Sequence, residues 1–364
     1  MVTHKHKHIL IAPLDWGLGH TTRCVPLIRS ILQLGHIPLF AGNETQCRFI
    51  EDTFGPIDFI HLEGYDITYS KWNQYAQIGL LSQLPHILGA IKKEREWLQN
   101  LVSERKIDGI ISDNRYGLYH PTIPSVILTH QLQVQSGFGV IADNIVRKLH
   151  YQFLNRFNEI WAVDKAASPG IAGTLSHPGK LPNNTTYIGA LSQFENRATT
   201  SNTNKDQLLV LLSGPEPQRT ILSAILWRQV QDFNGNIVFV EGSERALTPA
   251  SIPANIVWHK RLAAKALEPI LRETGMVVCR SGYSTIMDLI ALQKQAILIP
   301  TPGQTEQEYL AYRMQSDGIF YSVPQKNFDL KKALSASANF NNKKSPKDSF
   351  QLYQPVLEKW LEKL

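Results

Sequence analysis

Three short stretches hold residues able to do chemistry. "GLGHTTR", residues 17–23, sets two glycines, a histidine and an arginine where the apolar run His8 to Ala12 gives way to the helical pattern Cys24 to Leu34. An imidazole titrates near neutral pH and can take or give a proton. "CRSGYSTIMDLIALQKQAILIP", residues 279–300, reads as strand, tight turn, helix and strand in 22 residues. Gly282 lets the backbone turn, and Ser284 and Thr285 fall at the helix start, where amide groups and the helix dipole favour phosphate oxygens. Thr285 with Asp288 three residues on reads equally as a capping box. "PTPGQTEQEYLA", residues 300–311, offers Gln304, Glu306, Gln307 and Glu308 just beyond a strand. Such amides and carboxylates suit sugar hydroxyls, and they also suit a solvated first helical turn. Asp113 in "IISDNRYG" and His130 in "VILTHQ" follow strands too. Each alone is an ordinary hydrogen-bonded turn residue; with His20 they are expected to converge on one cleft edge.

The elements that must place these residues show in the rhythm of the chain. Short apolar runs at residues 8–12, 37–41, 107–112, 125–129 and 160–163 alternate with helical patterns at 24–34 and 46–54. The rhythm restarts with runs at 208–212, 237–241, 256–258, 276–279 and 296–299 and a helix around 220–233. Such alternation marks a parallel sheet covered by helices on both faces, and 364 residues exceed one compact core. The expected architecture is α/β: two Rossmann-like doubly wound domains facing across a cleft. Residues 1–190 form the first, the aperiodic polar stretch "LSQFENRATTSNTNK" (191–205) the linker, and 206–345 the second. Residues 346–364 form a closing helix that returns to the first domain. Open sheets of this kind bind ligands at the carboxyl ends of their strands, which is where the three stretches fall.

Composition narrows the class. With 43% hydrophobic and 19% charged residues the chain is a globular protein without low-complexity tracts. Cys24, Cys47 and Cys279 are widely spaced, form no CxxC pair and have no histidines at zinc-ligand spacing, which fits a reducing cytosol. No apolar run approaches the ~20 residues of a spanning helix, and the run after His8 is too short for a signal-peptide core. His4, His6 and His8 alternate on an extended lead-in to the first strand, a solvated arrangement or a metal-binding one. A net charge of +6 permits contact with phosphates or an anionic surface without selecting one. A P-loop is excluded because no Gly-Lys-Ser/Thr ends the turn, and Thr22 stands where a dinucleotide GxGxxG needs its third glycine. Nucleic-acid binding lacks a basic aromatic stripe or a known module.

In sequence order RSG-x-S-T, a carboxylate, then P-x-P followed by Q-T-E-Q resembles the donor half of family 28 glycosyltransferases. The likeness extends through both halves of the chain and is closest at the motifs. It implies the GT-B fold, with Ser281, Gly282, Ser284 and Thr285 holding the diphosphate of a nucleotide sugar. It implies that Asp288, where the family commonly has Glu, meets the ribose hydroxyls. Gln304, Glu306 and Gln307 match the donor-sugar and ribose loop, with Glu306-Gln307 where the family often has Gln-Gln. "WGLGHTTR" resembles the Gly-Gly-His loop after strand one, which puts Gly17, Gly19, Thr21 and Arg23 on the acceptor side of the cleft and points His20 into it. "VILTHQ" resembles the His-Glu-Gln segment, with Gln131 directly after the histidine. "LLSGPEPQR" resembles the loop after the first strand of the second lobe, so that Gly214 lets the donor approach and Arg219, with Arg280, neutralises the diphosphate. Pro215 and Pro217 depart from the small-residue run usual there.

The resemblance implies a metal-independent, inverting transfer from a nucleoside diphosphate sugar, UDP above all, with no cofactor; no DxD-type aspartate pair stands in a suitable loop. His20 is expected to take the proton of the acceptor hydroxyl, with Asp113 or His130 as orienter or substitute. The acceptor is expected to be a sugar or glycolipid, and the enzyme to be cytoplasmic, in reach of the inner face of a membrane. Leu80, Leu84, Ile87, Leu88, Ile91, Leu98 and Leu101 follow helical spacing with Lys92, Lys93 and Arg95 nearby, which suits membrane docking and suits a core helix as well. Tyr69, Trp72 and Tyr75 are expected to shape an acceptor pocket. Two rival readings remain. PseG-like nucleotide-sugar hydrolases share the fold and a G-x-G-H-x-x-R loop, with water in place of the acceptor; a binding protein without turnover would need no base.

Overall fold

The computed structural model describes residues 6–65, 84–135, 138–195, 204–340 and 349–364. Two compact units divide the chain between Gln193 and Phe194, and the C-terminal segment belongs to the first.

The first unit runs β1 (His8–Pro13), α1 (Gly19–Gln33), β2 (Ile37–Gly42), α2 (Glu44–Phe54), β3 (Asp58–His61), α3 (Leu84–Glu104), β4 (Gly109–Asp113), β5 (Ser125–Thr129), α4 (Val140–Leu154), β6 (Glu159–Ala162) and β7 (Thr185–Tyr187). Its strands form one parallel sheet in the order 3-2-1-4-5-6-7. Ile9, Leu10 and Ile11 are fully buried because helices cover both faces of such a sheet, which is why β1 reads as an unbroken apolar run. The strand order reverses between β1 and β4, and there the register sets Pro13 opposite Asp113 and Asp113 opposite Leu128. Three strands thus end level at the switch point, where such a sheet opens a crevice.

The second unit runs β8 (Asn204–Leu211), α5 (Gln218–Val230), β9 (Asn236–Val240), β10 (Ile256–His259), α6 (Ala264–Glu273), β11 (Thr274–Cys279), α7 (Tyr283–Ala291), β12 (Ala296–Leu298), α8 (Thr305–Ser316), β13 (Tyr321–Ser322) and α9 (Leu330–Ala338). Its parallel sheet has the order 10-9-8-11-12-13, with the switch point between β8 and β11. Leu208, Val210, Phe239, Val278 and Ile297 from four adjoining strands meet Leu222 and Leu226 of α5 in the core.

The last helix, α10 (Tyr353–Glu362), packs on α1 within the first unit. Trp360 stands edge-on to Trp161 at 5.7 Å. The Ala190 amide donates to the Ser349 carbonyl at 2.9 Å, an approach that only glycine at 189 allows: its φ is +82° and a Cβ there would lie 2.1 Å from that oxygen.

Several elements differ from the expected bounds. α1 begins at Gly19, not Cys24, so His20, Thr21 and Arg23 sit in helical turns and not on a loop. The closing helix is Tyr353–Glu362, shorter than expected. The edge strands β3, β7 and β13 and the helices α4, α6 and α9 were not expected at all. Ile91, Leu98 and Leu101 of α3 are buried while Leu88 is exposed; Leu80, Tyr69, Trp72 and Tyr75 lie outside the described residues. Among the described residues no helix is long and apolar enough to cross a membrane.

Candidate functional site

In the first unit a buried polar cluster forms where β1, β4 and β5 end. Asp113 is the last residue of β4 and fully buried, and His130 follows β5 directly. Arg23, from the second turn of α1 and 2% exposed, donates from Nε to Asp113 Oδ2 at 2.6 Å and from Nη2 to Oδ1. Its Nη1 lies 2.7 Å from His130 Nδ1. His20 Nδ1 lies 3.2 Å from Asp113 Oδ2, with the side chain 14% exposed. Burial pushes the Asp113 carboxyl up, but Arg23 and His20 outweigh it and hold it down at about 2. Burial first, then the Arg23 charge, lowers the His20 pKa; Asp113 opposes both.

The cluster corrects part of the expected loop. Arg23 does not face an acceptor: its guanidinium is committed to Asp113. Thr21 is fully buried and its hydroxyl accepts from Gln46 Nε2 at 3.0 Å. Gln46 also donates to the Leu14 carbonyl at 3.1 Å and closes a capping box with Asn43 at the start of α2. Gly17, at φ +79°, has open space where a Cβ would sit, and Gly19 is the first residue of α1.

Sequence reasoning missed Asn114, Gln46 and a second buried network. Asn114 has φ +57°, a left-handed conformation that asparagine tolerates better than most residues. With its amide oriented so that oxygen meets a donor and nitrogen meets acceptors, it donates to Thr129 Oγ1 (3.1 Å) and the Leu128 carbonyl (3.0 Å) and accepts from Arg23 Nη2 (3.2 Å). Arg115, fully buried, donates to the Pro13 and Glu63 carbonyls at 2.9 Å each and to Glu94 Oε1 at 3.0 Å. Glu94 also accepts from the Tyr65 hydroxyl at 2.8 Å. Burial raises the Glu94 carboxyl against the pull of Arg115 and Tyr65. Beside this network lies a cavity of about 490 Å³ lined by His61, Glu63, His86, Lys93 and Trp97, among others. A basic residue one place after a strand-ending Asp-Asn was the only signal for it.

In the second unit several residues around the switch point are structural ties. Gly282 is the N-cap of α7 and Thr285 the third residue of the helix, so the Thr285–Asp288 capping box, which needs Thr285 at the N-cap, does not form. Gly282 has φ −69°, which any residue adopts, and a Cβ there would meet only Thr285 Oγ1 at 3.9 Å; the turn does not require glycine. Ser284 and Thr285 lie in the first turn and are partly exposed, with Asp288 a turn further on, 9% exposed. Ser281 is fully buried and its hydroxyl donates to the Gln307 carbonyl at 2.8 Å. Gln307 Oε1 accepts from the Thr301 amide at 3.0 Å. The Ser281 hydroxyl therefore fastens the β11–α7 turn to α8, and the Gln307 side chain ties the loop before α8 to that helix.

Gln304 is the N-cap residue of α8, and its Oε1 is buried without a hydrogen-bond partner among the described residues. Glu306 lies in the first turn of α8, partly exposed. Arg280, 1% exposed, donates to the carbonyls of Ile299 (3.2 Å), Pro300 (3.1 Å) and Gln218 (2.7 Å), and burial lowers its pKa to about 10. Arg219 is held between two carboxylates, Glu216 at 2.9 Å from Nε and Glu241 at 2.9 Å from Nη1. Gly214 has φ +101° and open space at its Cβ position. Among the described residues no group of three or more His, Cys, Asp or Glu side chains is arranged to hold a metal ion.

Comparison with known proteins agrees with this geometry. Residues 263–354, which include the α7 turn and α8, match the glycosyltransferase family 28 C-terminal domain. An uncharacterised glycosyltransferase of Methanosarcina mazei is 23% identical over 352 residues, covering 87% of this chain and 86% of its own. Acinetobacter baumannii MurG superposes with a TM-score of 0.56 at 12% identity, covering 98% of this chain and 100% of that one. Arabidopsis thaliana UGT89C1, solved with UDP-L-rhamnose, superposes with a TM-score of 0.62 at 12% identity, covering 99% and 94%. With two parallel doubly wound units and a family 28 C-terminal domain matched over residues 263–354, the chain is a glycosyltransferase of GT-B fold.

Proposed function

We propose that the enzyme moves a sugar from a nucleoside diphosphate donor, UDP-linked, to a hydroxyl of a sugar or lipid-linked acceptor, with inversion and without a metal. The observation that carries the reading is the buried His20–Asp113 pair at the switch point of the first sheet. Asp113, ionised, holds Nδ1 and leaves Nε2 as the basic nitrogen. The acceptor hydroxyl gives its proton to Nε2 as its oxygen attacks the anomeric carbon. The bond to the diphosphate breaks on the opposite face, and that geometry inverts the centre.

The departing diphosphate gains negative charge, for which the start of α7, with glycine at its N-cap, supplies amide donors and the positive end of the helix dipole. Arg280 adds a buried positive charge directly before that turn. The family resemblance assigns Asp288, Gln304 and Glu306 to ribose and sugar hydroxyls, and Ser284 and Thr285 to phosphate. Arg219, tied by Glu216 and Glu241, positions the start of α5. The UDP-L-rhamnose bound by the structural neighbour of the same fold supports a UDP donor. The enzyme works in the cytoplasm, at the inner membrane face where its acceptor is lipid-linked.

A panel of nucleotide sugars tests this, with nucleotide release measured with and without sugar and lipid-linked acceptors. Acceptor-dependent UDP release is expected. Release of UMP and sugar 1-phosphate without acceptor would identify a hydrolase, and tight binding without release a binding protein.

A further inference from the structure

We infer that the cavity beside the Arg115–Glu94 network is a saccharide-binding subsite, which holds a neutral sugar ring of the acceptor away from the reacting hydroxyl. The inference rests on the function proposed above for what the bound sugar is, and not for its binding. The cavity opens where β3 ends, and none of His20, Arg23, Asp113 and His130 lines it. Its walls are tied to the supports of that cluster all the same. The Tyr65 amide donates to Asp15 Oδ1 at 3.1 Å, in the turn before α1, and Arg115 joins the Pro13 and Glu63 carbonyls. A volume of about 490 Å³ falls in the ~300–1,000 Å³ range of small-ligand sites.

One wall is a stripe of α3. His86, Gly89, Lys93 and Trp97 recur at intervals of three and four residues and so share one face of the helix. The Trp97 indole is fixed, because it packs on the core of the first unit and its Nε1 donates to the His61 carbonyl at 3.1 Å. A rigid aromatic wall suits the apolar C–H face of a sugar ring. The Glu63, His61 and Lys93 side chains around it make no hydrogen bond or ion pair to another described residue. A carboxylate and an ammonium on one rim suit hydroxyls, which both donate and accept, and give a phosphate no net attraction.

Gly89 marks the site. Glycine inside a helix is unfavourable against alanine, and packing does not demand it here, since a Cβ would meet nothing within 4 Å. The stripe stays open where a side chain would narrow the cavity, and that supplies a clean test.

The full-length protein, labelled with 5-fluorotryptophan and with the Trp97 signal assigned through Trp97→Phe, is titrated by 19F NMR. The probes are maltose, cellobiose, diacetylchitobiose and the methyl glycosides of galactose and mannose. At least one is expected to shift Trp97 saturably at millimolar concentration, and inorganic phosphate to leave it unmoved. Gly89→Leu is expected to keep a thermal midpoint at or above that of wild type and to weaken the sugar about tenfold or more. Lys93→Gln, at an exposed side chain, is expected to weaken it about 3- to 10-fold.

A Trp97 signal that no sugar moves overturns the inference, and so does one moved by phosphate alone or a folded Gly89→Leu that binds as wild type does. Lys93→Gln decides if Gly89→Leu fails to fold. Failure of the transferase reading shows differently, as absence of acceptor-dependent UDP release while a sugar still shifts Trp97.

Discussion

Asp113 is fully buried, yet Arg23 and His20 keep its carboxyl ionised, with a pKa of about 2 against an ordinary 3.8. A depressed carboxylate contributes stability that is present above 3.8 and lost as pH falls through about 2, so the cluster is intact across the neutral range. Arg23→Met would strand that charge and is expected to cost about 3–5 kcal/mol, read from the shift in denaturant midpoint. His20 shifts the other way from a free imidazole: burial and Arg23 disfavour its cation. A base must be neutral, so activity is expected to persist below pH 6.5 and to be lost as pH falls through the lowered pKa. An acid limb of kcat/KM at or above 6.5 would contradict this. Asp113 and His130 were legible because each is a polar residue directly after an apolar run, and His20 because it stands in a glycine-bearing stretch between an apolar run and a helical pattern. Asn114 was not, since an asparagine after a strand is the commonest of turn residues and its part emerges only when Arg23 folds back onto it. Arg23 misled for a related reason: on a loop it would face outward, but the helical turn carries it inward.

At the α7 start the structure separates a ligand effect from a folding effect. A Cβ at Gly282 meets nothing closer than 3.9 Å, and N-cap glycine to alanine costs at most about 1 kcal/mol. Gly282→Ala is therefore expected to stay folded while donor affinity, measured by calorimetry, falls about tenfold, because the methyl occupies space over the helix amides. In α4, His150 is buried with Nε2 3.1 Å from the Tyr116 hydroxyl, and burial lowers its pKa to about 4. The unfolded chain takes up that proton near 6.5 and the fold only near 4, so stability is full above 6.5 and declines by about 3 kcal/mol down to about 4. His150→Phe is expected to flatten that slope in pH-dependent denaturation. Among elements, β1 and β5 were legible as continuous apolar runs. The first turns of α1 were not: Gly19, His20, Thr21 and Thr22 are weak helix formers without a capping side chain. Contacts of Thr21 with Gln46 and of Arg23 with Asp113 hold the turn instead. The strands β3, β7 and β13 have two to four residues, partly buried or exposed, too few for a period to show.

Across the whole molecule the same doubly wound plan occurs twice, each copy with its own switch point. The alternation of strand and helix was legible for that reason, since parallel strands buried on both faces must be apolar throughout. What each copy does was less legible, because Ser281 and Gln307 look like ligand groups in the sequence and turn out to be spent on each other's neighbourhood. The first unit also depends on its distant C-terminus: Trp360, 2% exposed, packs on Trp161. Trp360→Ala is expected to destabilise that unit by about 3–5 kcal/mol, seen as an earlier thermal transition. The most direct measurement on the central claim is the turnover and donor binding of His20→Ala, made with a sugar nucleotide and acceptor that the wild type uses. The account predicts a fall in kcat of about 10² to 10⁴ with donor Kd unchanged within about twofold. Turnover within a few-fold of wild type would contradict it.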